Sequence, residues 1–335
     1  MFAAIGGMLG PAILFIALHG SRPGADGWGI PMATDIAFSL GVLALLGKRV
    51  PVSLKIFLTA FAIVDDIGAV LVIAFVYSSQ IYMNMLLIAM GLFVFLYLLI
   101  LAGLRSPVLF IIAGGIIWYF FLKSGLHPTI AGVMLAFIIP ANRKVRIPVF
   151  TRLMNKDLQF FRRDECEDQL LLNRDQLHAV DRMSNLVDKV QSPLQSLEHR
   201  LHGFVSYFIM PVFALANAGV TFTGSGSDAV VGFLSLHIAI ALILGKLTGI
   251  LLFSYLGVRF KLAALPGNIN WYHIAGVGLL GGIGFTMSLF ISNLAFHEAL
   301  LLNHAKNGIL AGSMIAGSGG YFLLRRALKK DKVLS

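Results

Sequence analysis

The chain has 335 residues, of which 58% are hydrophobic and only 13% charged, with a formal net charge of +10. A soluble domain carries about 25% charged residues. Here the apolar residues come in long runs without helical or strand alternation, which excludes an ordinary soluble domain and a transmembrane β-barrel. The positive charge does not indicate nucleic acid, because it collects in loops on one side of the predicted spans.

The apolar runs predict roughly ten membrane spans, at 3–19, 28–47, 52–77, 84–103, 107–122, 126–140, 203–219, 232–257, 272–297 and 303–324. The first run lacks a basic leader and an A-x-A site, so it reads as a span and not as a signal peptide. The fold class is therefore an all-α polytopic membrane protein. By segment, 1–140 holds the first six spans and the ion-site candidates, and 141–200 is a cytoplasmic loop. The last four spans fill 201–325, and 326–335 is a basic cytoplasmic tail.

Loop charge orients these spans. One alternate set of loops holds Lys48, Arg49, Arg105, the eleven Lys/Arg from Arg143 to Arg200, Arg259, Lys261 and the five bases of the tail, 21 in all. The other set holds Arg22 and Lys123. The positive-inside rule then places the first set, and both termini, in the cytoplasm. Lys55 and Lys306 lie near span ends and can snorkel to the headgroups. What is left inside the membrane is Asp35, Asp65, Asp66 and Lys246, each near the middle of its own span. A charge there costs about 2.5–3.5 kcal/mol on insertion scales, so such residues mark ion pathways.

Two spans read as broken. Gly29, Pro31, Thr34 and Asp35 interrupt the second, and Gly276, Gly278, Gly281, Gly282 and Gly284 interrupt the ninth. Each is the middle member of a three-span group, spans one to three and eight to ten. The first group starts inside and the second outside, which is an inverted-topology repeat with its interrupted helices at corresponding positions, expected to cross at mid-membrane. The 141–200 loop carries nine acids against eleven bases, so it reads as a solvated face. Its stretch from Asp168 to Val190 reads partly as an amphipathic helix. Cys166, the only cysteine, excludes an internal disulfide and has no metal-ligand spacing.

Asp65 and Asp66 are adjacent, so on a helix they point about 100° apart and cannot do the same job. One can face a water-filled cavity while the other faces a partner. Two carboxylates this close in low dielectric favour holding a proton or a small hard cation between them, and oxygen ligands suit Na⁺ or Li⁺. Lys246 reads either as a structural salt bridge or as a coupling device that an arriving cation releases from Asp65. Asp35 either stabilises a broken helix or binds the ion directly. Thr34 offers its hydroxyl to the ion or to the backbone. Where two broken helices cross, a carboxylate can neutralise facing N-termini and an ammonium facing C-termini, roles that Asp35 and Lys246 could fill. Glu198, His199 and His202 form a titratable cluster at the cytoplasmic start of span seven, read either as a pH sensor or as an ordinary polar helix end. His19, His127, His237, His273, His297 and His304 lie singly near span ends and read as interfacial.

Several stretches resemble the NhaA family of sodium/proton antiporters. They are Ala33-Thr34-Asp35-Ile36-Ala37-Phe38, Leu54-Lys55-Ile56-Phe57-Leu58, Val64-Asp65-Asp66-Ile67-Gly68-Ala69, Phe213-Ala214-Leu215-Ala216-Asn217-Ala218-Gly219 and Gly284-Phe285-Thr286-Met287-Ser288. NhaA is itself a known example of an inverted-repeat transporter, so the repeat is part of the resemblance and not an independent derivation. The resemblance implies that Asp66 carries Na⁺ or protons and that Asp65 pairs with Lys246. It further implies that Thr34 and Asp35 belong to the broken helix, and that Glu198, His199 and His202 respond to pH. Members normally have twelve spans, and this chain begins where their third begins. A homodimer is implied, with part of its contacts in the two helices this chain lacks. The 145–192 region, including Asp164-Glu165-Cys166-Glu167-Asp168, departs from the family and has no assigned role.

The expected activity is electrogenic sodium (or lithium)/proton antiport by alternating access at a shared carboxylate site, for sodium extrusion and cytoplasmic pH regulation. Two other readings remain open, a sodium-coupled symporter of an organic solute and an inactive truncated scaffold. No enzymatic activity and no cofactor are expected. The expected partners are the lipid bilayer of the bacterial inner membrane, a monovalent cation and protons.

Overall fold

Long apolar runs can satisfy their backbone polar groups inside a bilayer only as helices or closed barrels. The computed structural model describes residues 1–77, 81–104, 106–143, 145–163, 174–217, 219, 229–265, 267 and 269–334, and no strand occurs among them. The run 164–168 that contains Cys166, and the first part of the predicted amphipathic helix, lie outside the described residues.

In chain order the helices are α1 (Phe2–His19), a 3-10 segment (Ala25–Met32), α2 (Ile36–Leu45), α3 (Val52–Val76), α4 (Met83–Leu101), α5 (Pro107–Ser124) and α6 (Thr129–Ile138). Next come α7 (Ile147–Arg163), α8 (Arg174–Val190), α9 (Pro193–Phe204) and, after a π-turn at Val205–Ile209, α10 (Met210–Asn217). Then follow α11 (Ala229–Ile240), a second π-turn (Ala241–Gly245), α12 (Lys246–Arg259), α13 (Trp271–Gly281), α14 (Phe285–Ala295) and α15 (Ala299–Leu334). Among the described residues, five stretches are long and apolar enough to cross a membrane: α1, Val52–Ala74 of α3, α4, α5 and Gly232–Arg259. The two bent pairs, Ala25–Met32 with α2 (42°) and α13 with α14 (45°), bring the number to seven. The other three predicted spans fall on α6, on the stretch through the first π-turn into α10, and on α15. The protein is an all-helical, multi-pass membrane protein. Side chains such as Ile13, Leu87, Phe137 and Met314 are more than half exposed, as lipid-facing surface is.

Three features differ from the sequence reading. Helix α15 runs unbroken to Leu334, so the basic tail continues the last span; from Leu323 to Lys330 the sequence is all good helix formers, Leu, Arg, Ala and Lys. Besides α8 and the start of α9, the 141–200 segment holds a helix, α7, that the sequence reading missed. Pro148 reads as a breaker, but in a first helical turn it is tolerated, and α7 packs on α8 with an Arg182–Asp157 ion pair at 3.2 Å. The histidines are not all lone interfacial residues. His19 and His237 are 3.1 Å apart and buried, and His273 is buried in a capping box with Asn270.

The chain forms two compact units, Met1–Ser78 with Met210–Ser335, and Ser79–Ile209. The second unit is built on aromatic packing of α4, α5 and α6, with Phe93, Phe110, Ile117 and Phe121 at its centre. The first unit has two apolar clusters. Leu54, Leu58, Phe61, Ile250, Val277 and Leu280 belong to one; Phe15, Ile30, Ile73, Leu234, Leu289 and Ile309 belong to the other. Four chain segments pass from one cluster to the other. Asp35 lies between Ala33 and Ile36, Asp65 and Asp66 between Ala62 and Ala69, Lys246 between Leu242 and Ile250, and Thr286 between Ile283 and Leu289. The polar residues of four elements therefore collect in one layer between two dry ones.

Small residues set how closely these elements cross. Helix α1 lies on α12, and a Cβ at Gly6 would sit 2.1 Å from the carbonyl oxygen of Gly249. A Cβ at Gly10 would lie 2.5 Å from the carbonyl oxygen of Gly245. Backbone cannot yield as a side chain can, so Gly6→Ala will separate the helices at a cost of about 1–3 kcal/mol. Thermal unfolding in detergent measures this. An unchanged midpoint would show that the crossing is looser than described.

Candidate ion-binding site

The two bent helices meet at their breaks. In the first, Ala33, Thr34 and Asp35 are non-helical, and Asp35 is the N-cap of α2 with its Oδ1 accepting from Phe38 N at 3.2 Å. Its Oδ2 accepts from Thr286 N at 3.0 Å, and from the Thr286 hydroxyl, at the start of α14. One buried carboxylate thus caps two helix N-termini, where unsatisfied N–H groups and the positive dipole ends favour an anion. Asp35 N donates to Ile283 O at 2.6 Å, and Ser39 Oγ to Leu280 O at 2.8 Å. Ser288 Oγ donates to Ile30 O at 2.7 Å. Ser313 of α15 accepts from both Gly284 N and Phe285 N at 3.2 Å. Each break is therefore held by side-chain oxygens from the other span or from α15.

The carbonyl ends are met by Lys246. Its Nζ donates to Met32 O at the end of the 3-10 segment, to Thr34 Oγ1 at 2.9 Å and to Asp65 Oδ2 at 2.8 Å. Those three bonds use all three ammonium hydrogens. Thr34 passes its own hydroxyl hydrogen to Gly281 O at 2.8 Å, at the end of α13. Lys246 and Asp65 are both fully buried, and the ammonium lies 5.6 Å from the Phe61 ring centroid. The π-turn at Ala241–Gly245 immediately precedes Lys246; such turns inside α-helices are frequent at functional positions.

The two adjacent acids are in different situations. Asp65 gives one oxygen to Lys246, while Asp66 is only partly buried and its Oδ1 accepts no hydrogen bond from any described residue. The second oxygen of Asp65 is likewise without a hydrogen bond among the described residues. Oxygen atoms of this kind, in a layer shielded by apolar clusters, can hold a proton or a small hard cation. Thr34, Asp65 and Lys246 are thus linked directly, with Asp66 beside Asp65 and Asp35 beside Thr34 in the chain. Glu198, His199 and His202 lie in the other unit on α9, where with Gln191 and Gln195 they line an open cavity of about 510 Å³.

Sequence reading missed the Met32 carbonyl, Ser39, Ser288 and Ser313. A backbone carbonyl leaves no sequence trace. The serines could have been flagged as polar residues at one to four positions from the breaks, or among the small residues Ala311-Gly312-Ser313.

If Asp35 serves as a double cap, Asp35→Ala will lose roughly 1–2 kcal/mol per cap. Asp35→Asn keeps an acceptor oxygen and will lose clearly less. Detergent unfolding of both variants checks this; equal losses would remove the capping account.

A sequence model described as Na+/H+ antiporter 1 matches residues 1–324. The chain is 48% identical over 334 residues to a protein of Bacteroides fragilis named Na(+)/H(+) antiporter NhaA, covering 98% of this chain and 76% of that protein. It is 47% identical over 334 residues to the protein of the same name from Bacteroides thetaiotaomicron, covering 98% of this chain and 75% of the relative. The protein of that name from Oleidesulfovibrio alaskensis is 45% identical over 328 residues, with 98% of this chain and 73% of the relative covered. With both the family-wide match and these identities along nearly the whole chain, it belongs to the Na+/H+ antiporter 1 family.

Proposed function

We propose that the protein is a sodium (or lithium)/proton antiporter that exchanges the two ions at one carboxylate site. The observation that carries this reading is the buried Asp65–Lys246 pair beside an Asp66 whose Oδ1 has no described hydrogen-bond donor. Asp66 receives the proton or the cation. An arriving cation also competes with Lys246 for Asp65, and a freed Lys246 can then lose its proton. Loss of the cation reverses both steps, so one site cannot hold both ions at once, which enforces exchange. If Lys246 contributes a proton, more protons than cations move and the cycle is electrogenic. Voltage then biases it by about 2.3 kcal/mol per charge per 100 mV.

Asp35 balances the facing N-termini, while Lys246 and Thr34 balance the facing C-termini. The two breaks can then change angle together as the site turns from one side to the other, without leaving buried backbone groups bare. Loop charge supports a bacterial inner-membrane orientation with both termini cytoplasmic, and Glu198, His199 and His202 as a pH-responsive group at that face. The symport and scaffold readings draw no support from relatives named for antiport. In everted vesicles loaded with a pH-sensitive dye, added Na⁺ is expected to move protons with no organic solute present. A strict solute requirement would point to symport, and silence to a scaffold.

A further inference from the structure

Outside the carboxylate layer, one other pair of titratable side chains among the described residues is buried together. His19 closes α1 and His237 lies in α11; they are 1% and 7% exposed. Their Nδ1 atoms are 3.1 Å apart, and the rings meet edge to face at 84°. Phe15 stacks on His19 and Phe233 on His237. The other nitrogen of His19, Nε2, is 3.0 Å from Pro23 O.

That last contact fixes the tautomers. A carbonyl only accepts, so His19 carries its hydrogen on Nε2 and presents a bare Nδ1. The ring-to-ring bond then requires His237 to donate from Nδ1. A first proton can settle on His237 Nε2, which no described residue bonds, and the Nδ1–H of His237 still donates to His19. A second proton must go to His19 Nδ1, where two N–H groups would face each other and the bond is lost.

The helices tied by this bond are the two that seat Lys246. Helix α1 carries Gly6 and Gly10, which cross Gly245 and Gly249 on either side of Lys246. Helix α11 runs through the π-turn into Lys246, nine residues beyond His237, or roughly 14 Å along the axis. Other charged groups near the rings are few. Arg22 lies over Phe233, 5.6 Å from its centroid. Asp26, on the 3-10 segment, is exposed. On α15, Ser235 Oγ donates to His304 O and lies 3.5 Å from its Nδ1, and Lys306 donates to Gly219 O. On α3 and α12 the charges inside the membrane are Asp65, Asp66 and Lys246 themselves.

We propose that His19 and His237 are a proton-responsive positioning pair: their hydrogen bond ties α1 to α11 and holds Lys246 in place, and double protonation releases it. The effect on exchange rests on the antiport reading above; the protonation behaviour of the pair does not. Histidine nitrogen NMR of the full chain in lipid nanodiscs tests the second part. At alkaline pH one ring is expected as the Nε2–H tautomer and the other as Nδ1–H. Acidification should give two separated steps, and in His19→Asn or His237→Asn the histidine that remains should titrate at a pH displaced from its step in the unmodified chain. Two rings that titrate independently, each unmoved by replacement of the other, would overturn the pair.

Proteoliposomes test the first part. In His237→Asn the amide takes no proton, and it can donate to a bare His19 Nδ1 or turn its oxygen to accept from a protonated one, so the tie survives acidification. It should retain alkaline exchange within about twofold and shift the acid midpoint down by about 0.5–1 pH unit. His237→Phe, which cannot donate, should lower exchange at every pH. An acid limb in His237→Asn that superimposes on the unmodified chain would refute the positioning role. If the unmodified chain moves no protons with Na⁺, the antiport reading fails, and the NMR steps still decide on the pair.

Discussion

Lys246→Ala will be the most destabilising single substitution among those named here, by about 3–5 kcal/mol, because it leaves the Asp65 carboxylate buried without a counter-charge. The same change strips the donor from Met32 O and from Thr34 Oγ1, at the ends where carbonyl groups face inward. Removing both charges, as Lys246→Met with Asp65→Leu, should restore much of the loss, since a buried ion pair is often no more stable than apolar groups of similar volume. Unfolding midpoints of the two single variants and the double variant form a cycle that separates pairing from packing. If Lys246→Ala unfolds like the unmodified chain, Lys246 does not hold the layer together. If the double variant is no better than the worse single one, packing and not charge explains the loss.

Asp66→Asn will have the opposite profile. Asp66 Oδ1 accepts no bond from a described residue, so the fold should change by no more than about 0.5 kcal/mol. Exchange should fall about 100-fold or more, equivalent to roughly 2.7 kcal/mol, because an amide neither takes a proton nor neutralises a cation. Sodium-driven proton movement in proteoliposomes, set beside the unfolding midpoint, reads both quantities. Stable protein with undiminished exchange would move the carrier role away from Asp66. The contrast with Lys246 is the useful part: adjacent acids on α3, one paired and one not, separate stability from transport.

Much of this layer was legible from residue types and their depth. Charges in apolar runs are costly, so Asp35, Asp65, Asp66 and Lys246 stood out without any geometry. Gly, Pro and Thr clustered inside apolar runs marked both breaks, because together they weaken a helix interior. What stayed hidden was contact between distant segments. The Asp65–Lys246 separation of 181 positions and the Asp35–Thr286 separation of 251 leave no local pattern. The His19–His237 pair was read as two lone residues for the same reason, since each has an ordinary place near a span end. The π-turn before Lys246 was also invisible, since nothing in Ala241-Leu242-Ile243-Leu244-Gly245 separates a π-turn from an ordinary α-helical turn. Helix α7 was missed because its segment was read from its balanced charge as a solvated loop, and charge alone does not separate a loop from a helix.

The measurement that bears most directly on a shared site is the apparent KM for Na⁺ as a function of pH, in proteoliposomes with the same pH on both faces and no organic solute. If protons and Na⁺ compete for Asp66, the KM should rise about tenfold for each pH unit on the acid side while the maximal rate holds, for one competing proton. A KM that stays constant across pH while the maximal rate falls would contradict a shared site and assign the two ions to separate ones.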